Sequence, residues 1–289
     1  LQDLKVTPSQ PDFSRPSTIL LVIGESASRD YMKAFNESYS AETTPWLSSC
    51  RKDDHYLFFP NTYSCAHQTV TSLERVLTEF NQYDEETQFY SSASIVDIAH
   101  QAGYHVYWYS NQGYLGSTDT PVTLVANTSD VAKWTKQVLN QVQYDEALLE
   151  NIKEVPPSQH NFVVVHLKGS HAKFENRYPK EFTKFGTPGQ NDLISTYENT
   201  IAYTDHILQS LHDYAVNHLN LQAMIYFSDH AVIPDKRRTA NFDGFGSVRI
   251  PLFLWFSEEY KDRHRTIFET LRSHQNKYFT TDLAYELLC

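Results

Sequence analysis

The chain has 289 residues, of which 40% are hydrophobic and 14% aromatic, and its formal net charge is −11. That balance permits a sizeable core and argues against a nucleic-acid binder, which carries the opposite sign. It also sets the domain as a whole against an anionic membrane surface, so a phosphate-bearing ligand needs a local positive site, either a metal or an Arg/Lys cluster. No stretch approaches the roughly 20 apolar residues that span a bilayer. No signal peptide is visible, and a start at Leu1 reads as an excised fragment. Cys50 and Cys65 could pair in an oxidising compartment or stay as thiols in a reducing one, and Cys289 reads as structural or incidental.

Residues 1–17 are polar, contain Pro8, Pro11 and Pro16, and read as an extended lead-in or linker. Ile19 to Ile23 is an unbroken apolar run ending at Gly24-Glu25, the pattern of a strand buried on both faces of a parallel sheet, placed over 18–24. Ser26 to Phe35 can form a helix capped by Ser26 or Ser28. Thr43-Thr44-Pro45-Trp46-Leu47 looks like a helix start, and Leu57 to Asn61 a short strand. Val70, Leu73, Val76, Leu77 and Phe80 make a helical stripe over 69–80.

Ile95 to Ala102 is a helix stopped by Gly103, followed by a strand over 104–109 that runs into Ser110-Asn111-Gln112. Tyr144 to Ile152 reads as a helix broken by Pro156-Pro157. Asn161 to Leu167 is a buried strand running into Gly169-Ser170-His171, and Asp192 to Tyr214 is a long amphipathic helix. Leu221 to Phe227 and Ile250 to Phe256 are strands, the first running into Ser228-Asp229-His230. Residues 278–288 close with a helix. Strands alternate with helices, which predicts an α/β fold with a mostly parallel central sheet and helices on both faces, in one domain over 18–289.

Four strands end in polar clusters: Gly24-Glu25, Ser110-Asn111-Gln112, Gly169-Ser170-His171 and Ser228-Asp229-His230. Carboxyl ends of parallel strands share one edge of a sheet, so the clusters can converge there. Glu, Asp and His bind zinc or manganese. A single Asp-His pair is usually a surface pair or a cap; several at strand ends point to a metal site. Thr69 opens the helix 69–80, among free backbone amides in a positive field, where a hydroxyl could attack a phosphate. The commoner fate of such a residue is an N-cap. His67, two residues earlier, is an alternative ligand.

In order along the chain, Ile23-Gly-Glu25-Ser26, Thr43-Thr-Pro-Trp-Leu47, Thr69, Ser110-Asn-Gln112, Gly169-Ser-His171, Tyr197-Glu-Asn-Thr-Ile-Ala-Tyr-Thr-Asp205 and Ser228-Asp-His230 resemble the catalytic domain of the bacterial phosphoethanolamine transferases. These belong to the sulfatase-like branch of the alkaline phosphatase superfamily. The resemblance runs from about Thr18 to the C-terminus. It implies a membrane-anchored enzyme, its anchor absent from this chain, whose catalytic domain faces the periplasm at the bacterial inner membrane. It implies transfer of phosphoethanolamine from phosphatidylethanolamine to a glycolipid such as lipopolysaccharide or lipooligosaccharide, through a phospho-threonine. Carried over, Glu25, Thr69, Asp229 and His230 would hold Zn2+, with Mn2+ as the alternative. Thr69 would be the nucleophile, and His171 would contact the phosphoryl group or protonate the leaving alkoxide. Asn111 would line the substrate pocket. We expect a monomer with no nucleic-acid partner.

Two features depart from the family pattern. Ala231 stands where Gly usually follows Asp-His, and Ile233 to Val248 lacks the further His that many members carry. Arg237, Arg238 or Arg249 could take that place, since guanidinium matches phosphate oxygens in a fork, or they could form a solvated basic turn. The sulfatase Cys-x-Pro-x-Arg pattern is absent, Cys65 being followed by Ala-His-Gln-Thr. A phosphoglycerol transferase, a phosphodiesterase or a catalytically silent binding domain on the same fold are the competing readings.

Overall fold

The unbroken apolar runs become neighbouring strands of one sheet. A computed structural model describes residues 7–83, 86–112, 120–135, 142–187, 192–236 and 244–289. Its strands are β1 Thr18–Gly24, β2 Tyr56–Phe58, β3 Thr62–Tyr63, β4 His105–Ser110, β5 Val131–Trp134, β6 Asn161–His166, β7 Leu221–Ser228, β8 Leu252–Phe256 and β9 Phe279–Thr280. Its α-helices are α1 Pro45–Cys50, α2 Thr69–Val76, α3 Ile95–Gln101, α4 Pro121–Ala126, α5 Ala147–Ile152, α6 Leu193–His218, α7 Glu258–Arg263, α8 Arg265–Ser273 and α9 Ala284–Leu288.

Among the described residues the main sheet holds seven strands in the order β2-β8-β7-β1-β6-β4-β5. The run from β7 to β5 is parallel, while β8 pairs antiparallel with both β7 and β2. β1 is central, bonded to β6 on one side and β7 on the other. Alternate side chains feed two cores. Leu20, Val22, Val163, Val165, Met224 and Tyr226 pack with α6, and Leu21, Ile23, Val164, Ile225 and Phe227 pack with α2 and α3. Because β1 is covered on both faces, every position from Leu20 to Ile23 must be apolar, which is why no alternation marks this strand. The chain crosses to opposite sides of β1, so a crevice opens at the carboxyl edge there, the general ligand site of open α/β sheets.

Several boundaries differ from expectation, each through a tertiary contact. Ser26–Phe35 is not a helix: a single 3-10 turn forms at Arg29–Tyr31, capped by Ser28 and not by Ser26. Ser26 takes a left-handed φ of 59°, and its amide is bonded to Asp229 Oδ1, so it cannot start a helix. α2 stops at Val76, where Ile95 N donates to Leu77 O and Glu79 N to Ala93 O. α5 starts at Ala147 because Asp145 is turned toward the loop after β6. The C-terminal helix covers only 284–288, since Phe279–Thr280 pairs with β3. The half-buried edge strand β5 and helices α4, α7 and α8 went unread because each is too short to show a clear period. Within the described part of the lead-in, Gln10 Nε2 donates to Gln101 O, and Phe13 stacks on Tyr260. Cys50, Cys65 and Cys289 are free.

Candidate metal centre and active site

Glu25 is the first residue past β1, and Asp229 and His230 are the first past β7. Gly24 pairs with Ser228 in the ladder, so the register alone sets these three side by side. All three are buried, and their ligand atoms lie within 4.8 Å of one another. His230 Nε2 is 3.2 Å from Glu25 Oε1 and 3.5 Å from Asp229 Oδ2. The outer atoms are fixed: Asp229 Oδ1 accepts from Ser26 N at 3.1 Å and His230 N at 2.7 Å, and Ser26 Oγ donates to Glu25 Oε1 at 2.6 Å. His230 Nδ1 lies 3.0 Å from Ala231 O, which leaves Nε2 facing the carboxylates.

Thr69 completes the group. Its hydroxyl donates to Glu25 Oε2 at 2.9 Å and lies 3.4 Å from His230 Nε2. It is the first residue of α2, not its cap: Gln68 holds the cap position and makes no side-chain capping bond. One turn on, Ser72 Oγ donates to Asp229 O at 2.7 Å, which locks α2 against the end of β7. The carboxylates are sealed beneath, whereas Thr69 is only partly buried.

The electrostatics of the pocket favour a cation. Burial pushes Glu25 up, but His230 and, further off, His171 hold it well below the usual carboxylate range. Burial and the Glu25 charge push Asp229 up to about 7. Two carboxylates this close cannot both stay ionised in a dry pocket without a positive charge between them. Asp229 Oδ2 is buried with no hydrogen-bond partner. An orphaned carboxylate oxygen, a second carboxylate, an imidazole nitrogen and a hydroxyl form the N/O donor set that suits zinc or manganese. The residues therefore fit a metal.

The loop after β6 closes the other side. Ser170 N donates to Glu25 O at 2.9 Å, and Gly169 has φ of 49°. A Cβ on Gly169 would stand 2.8 Å from Glu25 O, so only glycine lets the two backbones come this close. His171 follows, half-buried; burial lowers it and the Glu25 charge raises it again, so its ring feels the site.

Asn111 directly follows β4. It is fully buried, with Nδ2 donating to Asp145 Oδ1 at 2.8 Å and Oδ1 accepting from Thr135. An amide satisfied at both ends is scaffolding, and its neighbour Gln112 reaches the site, Nε2 lying 3.3 Å from Glu25 Oε2. Arg249 Nε donates to Asp30 Oδ1 at 2.9 Å, so its charge is already matched. Arg237 and Arg238 lie outside the described residues.

Sequence reasoning did not assign Gln112, Asp145 or Tyr197. Asp145 accepts from Lys168 N at 2.7 Å and Gly169 N at 2.8 Å, which fixes the β6 loop, and nothing in its local sequence marks it. Tyr197 of α6 donates to Ser26 O at 2.7 Å and accepts from Ser28 N at 2.8 Å. Thr200 bonds Ser170 Oγ at 2.7 Å, and Asp205 accepts from Trp46 N and Leu47 N. The spaced motif on α6 thus holds the loops after β1 and β6 and the start of α1.

The chain matches the sulfatase family over residues 17–288. It belongs to the sulfatase family. Its sulfatase-family fold is similar to the C-terminal periplasmic domain of EptC from Escherichia coli solved in complex with Zn. That likeness has a TM-score of 0.79 at 25% identity and covers 97% of this chain and 84% of that one. The sequence is 30% identical to phosphoethanolamine transferase EptC of Escherichia coli K12, over 94% of this chain and 50% of that protein. It is 31% identical to phosphoethanolamine transferase OpgE of the same strain, over 78% of this chain and 41% of that protein. The chain thus spans about half the length, or less, of these relatives. Among the described residues no helix is long and apolar enough to cross a membrane.

Proposed function

We propose that this chain is the catalytic domain of a phosphoethanolamine transferase working at the periplasmic face of a bacterial inner membrane. The donor is phosphatidylethanolamine and the acceptor a cell-envelope glycolipid of the lipopolysaccharide or lipooligosaccharide type. The observation that carries the reading is the placement of Thr69. A reachable hydroxyl at a helix N-terminus is hydrogen-bonded to one member of a buried Glu-Asp-His group. Likeness to transferases named for phosphoethanolamine supplies the group moved.

Glu25, Thr69, Asp229 and His230 would hold a zinc ion. Such an ion supplies Lewis acidity, polarising a phosphoryl oxygen and easing loss of the hydroxyl proton. The residues divide the rest of the work. Thr69 Oγ1 gives its proton to Glu25 Oε2 as it bonds to phosphorus. The P–O bond to diacylglycerol breaks, and the leaving oxygen takes a proton from His171. In the second half the acceptor hydroxyl gives its proton to His171 and attacks phosphorus, the P–O bond to Thr69 breaks, and Thr69 Oγ1 takes its proton back from Glu25. The unbonded amides in the first turn of α2 offset charge on the equatorial oxygens.

Mass spectrometry of the intact domain given a phosphatidylethanolamine analogue tests this. Wild type should gain one phosphoethanolamine on Thr69, and Thr69→Ala none. Equal labelling of Thr69→Ala would remove the nucleophile assignment.

A further inference from the structure

Lys168 opens the loop after β6, and Arg177 closes the 3-10 turn at Phe174–Asn176 that follows it. Both are partly buried. Among the described residues neither is paired with a carboxylate: the Lys168 ammonium has no partner, and Arg177 Nε has one long bond of 3.4 Å to Lys173 O. A half-desolvated cation with no carboxylate in hydrogen-bond reach keeps donors for an incoming anion. In a chain of net charge −11, two such cations together need a reason.

The loop that carries them is fixed against the proposed metal centre. Lys168 N and Gly169 N donate to Asp145, Ser170 N donates to Glu25 O, and Gly169 touches the Glu25 backbone. The charges feel one another accordingly. Burial lowers Lys168, and Glu25 is the leading charge that raises it back. Burial lowers Arg177, and Asp145, Glu175 and Glu25 oppose that.

We infer that Lys168 and Arg177 form an anion-binding side of this site at the loop after β6, taking the non-bridging oxygens of a phosphate ester. The inference rests on the phosphoryl-transfer reading above. Lys168 supplies a compact charge and Arg177 a planar fork, which together suit a tetrahedral phosphate. Of the arginines expected at the phosphate, Arg249 is matched by Asp30, and Arg237 and Arg238 lie outside the described residues.

Calorimetric titration of the zinc-loaded domain tests it, with inorganic phosphate as the monoester-like probe and glycerophosphoethanolamine as the donor-like diester. Lys168→Met and Arg177→Met should each bind about tenfold to a hundredfold more weakly, the range for one charged hydrogen bond. Lys168→Arg, which keeps the charge but not its shape, should bind more tightly than Lys168→Met, and zinc content should be equal in all four proteins. Loss with the diester alone assigns the cations to the donor, and loss with phosphate alone to a monoester acceptor. Unchanged affinity for both probes in both Met variants, or no binding by wild type, overturns the inference. Labelling of Thr69 is read on the same samples. A wild type that binds phosphate through Lys168 but never gains a phosphoethanolamine would sink the transferase reading and leave the anion site standing.

Discussion

The hydroxyl of Tyr197 donates to the carbonyl of Ser26 at 2.7 Å, across 171 residues of sequence. Ser26 is a non-glycine residue at φ 59°, a conformation costing of order 1–3 kcal/mol unless its surroundings impose it. The imposition comes from Tyr197 on the carbonyl and from Asp229 Oδ1 on the amide. That turn aims Glu25 at Thr69, so a tyrosine buried in α6 positions the acid at the end of β1.

Tyr197→Phe keeps the ring and removes one donor and one acceptor. Ser26 O and Ser28 N then lose their partner in a buried place, at a cost of about 1–3 kcal/mol. Denaturant unfolding should show a lower midpoint with an unchanged slope. Zinc affinity should fall as well, because Glu25 is no longer held; a variant with wild-type zinc affinity would count against this coupling.

Gly169→Ala should be worse than its size suggests. The methyl meets Glu25 O, and the positive φ is unfavourable for alanine. We expect a loss of at least about 1–3 kcal/mol together with loss of Thr69 labelling. Retention of both would show that the loop can retreat without moving Glu25.

Asp229→Asn separates metal binding from stability. Asn can still accept from Ser26 N and His230 N through Oδ1, while the charge beside Glu25 is gone. The metal-free variant at pH 8 should be more stable than metal-free wild type, by on the order of 1 kcal/mol or more, since replacing buried unmatched charge is often stabilising. Zinc should then raise the melting temperature of wild type and not of the variant. Melting scans with and without a chelator give all four values, and a less stable metal-free variant would contradict the account.

Asp205 predicts a pH dependence away from the metal. Burial pushes its carboxyl up to about 7, against the pull of the Leu47 and Trp46 amides. In the unfolded chain its value is about 3.9. The folded form thus binds the proton more tightly, so this group's contribution is complete below about pH 4 and is lost as pH rises through about 7. The gap sets a scale of a few kcal/mol. The difference in unfolding free energy, wild type minus Asp205→Asn, should fall steadily between pH 4 and pH 7.5. A flat difference would mean that the two amide donors hold the carboxylate ionised in the fold.

Much of this was readable in the chain because strand ends are local facts. Glu25 and Asp229-His230 follow unbroken apolar runs, and parallel strands covered on both faces must pair in register to bury them. Where an apparent helix failed, as over 26–35, the competing backbone partners came from residues about 200 positions away. For Asn111 the residue type suits both a pocket and a scaffold, and its bonds to Asp145 and Thr135 were not legible in the sequence.

By itself, then, the sequence determined the α/β layering, the carboxyl-edge location of the polar clusters and the acidic balance that calls for a local cation. The tertiary structure decided which polar groups face one another. It placed Thr69 on Glu25, bonded Asn111 to Asp145, matched Arg249 with Asp30 and, among the described residues, gave Lys168 and Arg177 no carboxylate partner. The physical reason is one of range. Burial and period are written into neighbouring residues, whereas a hydrogen bond or an ion pair depends on angstrom-scale positions that only the packed fold sets.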